Sequence, residues 1–254
     1  MALFTDGTIT GIEDLRGHDT QLLDVARVES IDVTRKLALA QEELGVELAG
    51  LLGQMASPEI YGVGLNAAPA IQQVVVTPPL KLWHVFRTLE MVYRDAYNSQ
   101  LNDRYAGRRD EYHEMAKWAH DQVIQDGLGI ATDPVKQAAA PVPRRSAGGL
   151  ADGTYYIAIA WTNAGGEEGA SSVPAVMQVS GSSFAVETAV PPNVKGWNVY
   201  CGTRPSTMTI QNSAILAPGQ TWVQPNTLST SGRPAGSGQA PSYRVPVPRT
   251  IQRG

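Results

Sequence analysis

The chain reads in two hydrophobic periods. Across its first half, apolar residues recur every three or four positions, the spacing that lines one side of a helix. Leu37, Ala40, Leu44, Leu48, Leu51 and Met55 define a first long helix. Asp32, or Ser30, is its expected N-cap, because a short oxygen-bearing side chain can accept from a first-turn amide. A shorter helix is expected around Leu22, Leu23, Val25 and Ala26. Ser57-Pro58 ends the long helix, since a residue before proline resists the α conformation. Residues 57–78, rich in Gly, Ala and Pro, read as a long loop with one β-branched run at 74–76. Thr77-Pro78-Pro79 opens a second helix, proline being tolerated in a first turn, striped by Leu82, Phe86, Leu89, Tyr93, Tyr97 and Leu101. Asn102-Asp103 offers a cap for a third, through Tyr105, Tyr112, Met115, Ala119 and Val123. Gly127 sits where a glycine would stop it. The sum is a bundle of about four helices.

After a Pro/Ala-rich stretch the period becomes two. Tyr155, Ile157, Ile159 and Trp161 alternate with Tyr156, Ala158 and Ala160, and further strands are expected at 173–179, 184–190, 197–201, 207–215 and 220–223. Gly181-Ser182, Pro191-Pro192-Asn193, Arg204-Pro205-Ser206 and Pro218-Gly219 separate them as turns. Short strands so spaced predict an immunoglobulin-like or fibronectin-III-like β-sandwich, with Trp161 and Trp197 as core aromatics. The expected fold class is therefore α+β in two domains: a helical domain at 1–130, a linker at 131–148, the sandwich at 149–231, and an extended C-terminal arm at 232–254. Prolines interrupt that arm too often for a regular element.

Composition narrows the function. Among 254 residues, 43% are hydrophobic and 17% charged, enough apolar material for a core. A net charge of −4 does not suggest a nucleic-acid binder. One cysteine rules out a disulfide framework. No apolar run approaches a membrane span, and the first residues carry no signal-peptide pattern, so a soluble cytoplasmic chain is expected. Residues 1–130 hold 11 basic and 19 acidic residues, the remainder 9 and 5. Opposite charge on the two halves suits head-to-tail packing of identical subunits.

Motifs for catalysis are weak. Gly62-Val63-Gly64-Leu65-Asn66-Ala67 fits the loose dinucleotide pattern, but a helix precedes it and Pro69 follows where a helix should run. His113-Glu114 begins like a zinc-protease helix, yet Lys117 stands where the second ligand belongs. Cys201 alternates with Trp197 and Val199 as a buried strand residue would. No catalytic, cofactor-binding or metal-binding residue is assigned. The candidates are interface residues: Arg104, Arg108 and Arg109 in a mixed-charge patch, and Tyr243, Arg244, Val245, Val247, Arg249 and Ile251 in an arm with four arginines and no acid. The plainer reading of the patch is a solvated helix face.

Two segments resemble a known family. LLDVARVESIDVTRKLALAQEELGVEL (22–48) is similar to the first helices of head–tail adaptor proteins of tailed bacteriophages, and LNDRYAGRRDEYHEMAKWAHDQVIQDGLGIATDPV (101–135) resembles their closing helix. The β half looks like the immunoglobulin-like modules often appended to phage structural proteins. The resemblance implies a virion protein of the phage neck: a ring, commonly of twelve copies, bound to the portal and to the next neck or tail protein, with DNA passing through its channel without specific binding. No catalysis, cofactor or membrane is implied. Alternatives are another virion structural component, such as a decoration or tail-tip protein, or a glycan- or cell-surface-binding module. A glycan platform would have to come from Tyr155, Tyr156, Trp197, Tyr200 or Trp222.

Overall fold

The computed structural model describes residues 2–55, 68–100, 103–189, 191, 194–236 and 238–246. Among the described residues five α-helices run in order: α1 (Ile12–His18), α2 (Leu22–Val28), α3 (Val33–Gln54), α4 (Pro78–Gln100) and α5 (Ala106–Asp126). The strands are β1 (Leu128–Ile130), β2 (Val142–Ser146), β3 (Gly153–Thr162), β4 (Ala175–Val179), β5 (Ser183–Glu187), β6 (Gly196–Gly202), β7 (Thr209–Ile210), β8 (Trp222–Val223) and β9 (Ser242–Arg244). The class is mixed α+β. The chain divides into two compact units, neither of them continuous in sequence: Gly7–Ala131 with Pro241–Gly254, and Met1–Asp6 with Thr132–Ala240.

In the helical unit, the Asp32 side chain accepts from the Arg35 amide at 3.0 Å and so starts α3. Leu37, Ala40, Leu44 and Leu48 are buried as their spacing requires, but Leu52 rather than Leu51 continues the face. α1 was not legible: its seven residues expose all but Leu15 to some degree. α4 is buried on more than a stripe, from Trp83 to Phe86 and from Thr88 to Tyr93, because it packs against α1, α2, α3 and α5. A 3-10 turn, Asp103–Tyr105, leads into α5. Gly127 closes α5 with φ +88°.

The sequence expectations need three corrections here. Residues 232–254 are not wholly an irregular arm: Ser242–Arg244 pairs antiparallel with Leu128–Ile130. Pro241 and Pro246 flank that strand, so neither removes a donor from its three-residue ladder. Residues 131–148 are not a linker: Val135 and Ala138 are buried in the β core, and β2 pairs with β5 over five residues. The sequence boundaries also give way to the interleaved ones, since the first six residues belong with the β unit. There the Gln137 amide donates to Asp6 Oδ1 at 2.9 Å. Of the expected loop at 57–78, residues 57–67 with the 62–67 motif lie outside the described residues, as do Leu101 and Asn102, and Ile71–Gln73 forms a 3-10 turn.

The β unit has a three-stranded sheet, order β2-β5-β8, and a four-stranded sheet, order β4-β3-β6-β7, all antiparallel. One core draws on both: Ile157, Ile159, Trp161, Trp197 and Val199 from one, Phe184, Val186 and Trp222 from the other. The expected strand at 207–215 shrinks to Thr209–Ile210. Beyond it the Gln211 amide still donates to the Val199 carbonyl at 2.8 Å, and the Asn212 side chain then replaces the ladder, its Oδ1 accepting from the Val199 amide at 2.8 Å.

Candidate functional site

α5 is the element that carries most of the candidate surface, and its inner face explains how it is held. Tyr112, Ala116, Ala119 and Val123 are buried, and the two alanines let α5 approach α4 closely. The Tyr112 hydroxyl donates to Asp19 Oδ2 at 3.0 Å, and the Tyr93 hydroxyl of α4 donates to the same oxygen at 2.5 Å. Asp19 Oδ1 accepts from the Gln21 amide at 2.8 Å. Burial first, and then the adjacent carboxylate, pushes both phenols above their ordinary range, so they remain donors near neutrality. One buried carboxylate thus ties the start of α2 to α4 and α5. His84 does the same for α3: its Nε2–H donates to the Leu37 carbonyl at 3.0 Å, which leaves Nδ1 to accept from the Thr10 hydroxyl at 2.7 Å. Burial holds His84 below its usual pKa.

The interface candidates fall into two groups at opposite ends of α5. Arg104 lies before the helix, its guanidinium 5.5 Å from the Tyr105 ring centre, on a cavity of about 200 Å³ lined also by Gln21, Asp24, Val25 and Val28. Arg108 donates to Glu111 at 3.0 Å. Arg109 donates to Asp110 at 2.8 Å and sits 4.6 Å over the Tyr97 ring. These are solvent-screened local pairs that hold the side chains more than they stabilise the helix. Tyr243, Arg244 and Val245 are exposed at the other end, with Arg244 opposite Leu128. Eighteen helical residues, about 27 Å, separate the groups. Val247, Arg249 and Ile251 lie outside the described residues.

Sequence reasoning missed Trp118. It stands 52% exposed on the outer stripe of α5, with Glu111, Glu114, Asp121 and Gln125. The signal was available, since these positions alternate at helical spacing with the buried Tyr112, Ala116, Ala119 and Val123.

Other chemistry-bearing groups are accounted for by packing. Arg87 bridges Glu43 at 2.6 Å and Glu90 at 2.7 Å, and Glu90 Oε1 meets His113 Nδ1 at 3.1 Å. His113 and His120 line one cavity of about 170 Å³, where His120 packs edge-on to Trp83. Among the described residues no group of three or more His, Cys, Asp or Glu could hold a metal ion. Burial pushes the Cys201 thiol up to about 12, so its thiolate is scarce near neutrality. Tyr155, Trp197, Tyr200 and Trp222 are buried and Tyr156 is half-buried, so these five form no exposed aromatic platform. The charge contrast between halves also dissolves. The helical unit holds 14 basic and 18 acidic residues, the β unit six of each.

Comparison with family models, with characterised proteins and with solved structures gave no match.

Proposed function

We propose that the chain is a structural subunit of the neck of a tailed bacteriophage, a head–tail connector whose copies close a ring between portal and tail. One observation carries this reading. The segments that resemble adaptor proteins, 22–48 and 101–135, supply α2, most of α3 and α5, which surround α4 in the helical unit. On this reading the helical unit is an adaptor-type bundle forming the ring wall. Its net negative charge keeps the channel from holding DNA phosphates, as a basic wall would. The β unit is an appended immunoglobulin- or fibronectin-III-like sandwich, supported by its three- and four-stranded sheets and by the shared core containing Trp161 and Trp197. Among the described residues no helix is long and apolar enough to cross a membrane.

The test is electron microscopy of the full chain mixed with its portal. The expected result is a 27.2 kDa monomer when dilute and alone, and a high-order ring seated on the portal when the two are mixed. Closure supplies the avidity that one small subunit contact lacks. A stable dimer indifferent to portal overturns the proposal.

A further inference from the structure

The two sheets of the β unit present four edge strands, β2, β8, β7 and β4. Three of them are closed to further pairing. β2 carries Pro143, Arg144 and Arg145, and both proline and charge blunt an edge. β8 is only two residues long. β7 is already covered: the Ile210 amide donates to the Arg233 carbonyl at 3.0 Å, and the Ala235 amide donates to the Met208 carbonyl at 3.3 Å.

β4 has none of these protections. It ends the four-stranded sheet and, among the described residues, pairs with β3 alone. Its five residues, AVMQV, include no charge and no proline. An edge strand turns the N–H and C=O of every second residue outward, and another extended backbone is what meets such a row in register. Val176 is 58% exposed, Gln178 is exposed, and Ala175 and Met177 are half-buried.

The length of the open window points to the occupant. Pro174 precedes it and has no N–H to give. After Val179 the chain turns, with Gly181 at φ +56° and its amide donating to Asp152 Oδ1 at 2.8 Å. The window is therefore centred on Met177. Turned about a two-fold axis there, the strand matches itself over its full length. Ala175 then faces Val179 of the partner subunit, Val176 faces Gln178 of the partner subunit, and the two Met177 residues face each other. An uncharged edge can meet its own copy without the like-charge repulsion that penalises identical strands, and it offers no ion pair by which to select a charged segment.

We propose that β4 is a self-association edge: the β4 strands of two copies pair antiparallel about Met177 and join their four-stranded sheets into one. A contact of five residue pairs falls in the small interface class, below about 1,200 Å², so the association is weak. It does not depend on the connector reading, and the dilute chain used to test that reading remains a monomer.

Sedimentation equilibrium of the full chain from about 10 μM to about 1 mM tests it. The mean mass should rise from 27.2 kDa toward twice that value. Val176→Lys with Gln178→Lys sets like charges opposite each other at two pairs and should weaken association about tenfold. Val176→Lys with Gln178→Glu sets unlike charges there and should restore it. Circular dichroism checks that both variants fold. If the Lys/Lys chain does not, amide hydrogen exchange decides: exchange across 175–179 should slow in the concentrated wild type. A wild type that stays monomeric at about 1 mM overturns the proposal. So does association indifferent to both double variants, which assigns it to another surface, and so does loss in both, which rules out pairing about Met177.

Discussion

Gly127 is the position where helix, strand and arm meet, and one methyl group there separates two physical effects. Its φ of +88° and ψ of 159° fall where essentially only glycine is comfortable. Alanine in that conformation costs about 1–3 kcal/mol from strain alone. A second cost is steric, because the new Cβ would sit 2.9 Å from the backbone carbon and oxygen of Arg244. Those atoms belong to the β1–β9 ladder, so they can retreat only by loosening three residue pairs. Loss of one or two backbone hydrogen bonds adds about 1–2 kcal/mol. Gly127→Ala should therefore destabilise the helical unit by about 2–5 kcal/mol, or lower Tm by roughly 7–17 °C for a unit of this size. Gly107, inside α5 with nothing within 4 Å of a built Cβ, is the matched control; alanine there should stabilise by about 0.5–1 kcal/mol. Both variants are measured by thermal and denaturant unfolding, in the full chain and in a chain ending at Ala240. Without the arm the steric part disappears and the conformational part stays, so Gly127→Ala should cost less by about 1–2 kcal/mol. Equal costs in the two backgrounds refute the contact between Gly127 and the arm. A cost below about 0.5 kcal/mol in both refutes the strain as well.

Acid should weaken the helical unit through His84. Burial depresses its folded pKa below the ordinary 6.5, so the unfolded chain takes the proton first. The stabilisation is complete above about pH 6.5 and is lost as pH falls toward the folded value, at up to about 1.4 kcal/mol per pH unit. Denaturant midpoints at successive pH values should show that slope in the wild type and not in His84→Gln; an identical slope in both rules His84 out. Asp19→Ala strips two buried phenols of their acceptor and should cost about 3–4 kcal/mol, whereas Asp19→Asn, which keeps an acceptor oxygen, should cost less by at least about 1 kcal/mol. Equal denaturant midpoints for the two variants contradict that role. Trypsin at Arg144 or Arg145 must first lift β2 off β5, so cutting should be slow in native buffer. The cut chain should migrate as one species on a native gel, because each unit draws on both fragments; release of a stable fragment ending at Arg144 contradicts the interleaving.

Local signals carried the long elements. Asp32 as a cap, the Leu37–Ala40–Leu44–Leu48 spacing, the proline start of α4 and the glycine stop of α5 all act within a few residues, and so they survive in a linear reading. What failed was information that lives in pairing across distance. The strand Ser242–Arg244 is flanked by prolines and exposes all three side chains, so no alternation of apolar and polar residues marks it. Its partner, Leu128–Ile130, is buried throughout and has no alternation to show either. Likewise β2, VPRRS, is an exposed edge strand whose only requirement is backbone pairing with β5. A proline in such a strand is tolerated where its nitrogen faces away from the ladder. Asp19 was hidden for a different reason: its value lies in two tyrosines 74 and 93 residues away. The arginine patch was visible in the sequence, and so was the place of Trp118 off the Tyr112–Ala119–Val123 stripe of α5.

The interleaved chain also changes what electrostatics can do between copies. Cut at residue 130, the sequence offers an acidic half and a basic half, and so an attraction of whole domains. Divided as the chain folds, the β unit holds six charges of each sign. A neutral unit exerts little net pull at the Debye length of about 8 Å in physiological salt. Association of copies in the proposed ring must then rest on local complementarity. The outer stripe of α5, where Trp118 stands half exposed among Glu111, Glu114 and Asp121, is a surface of that local kind.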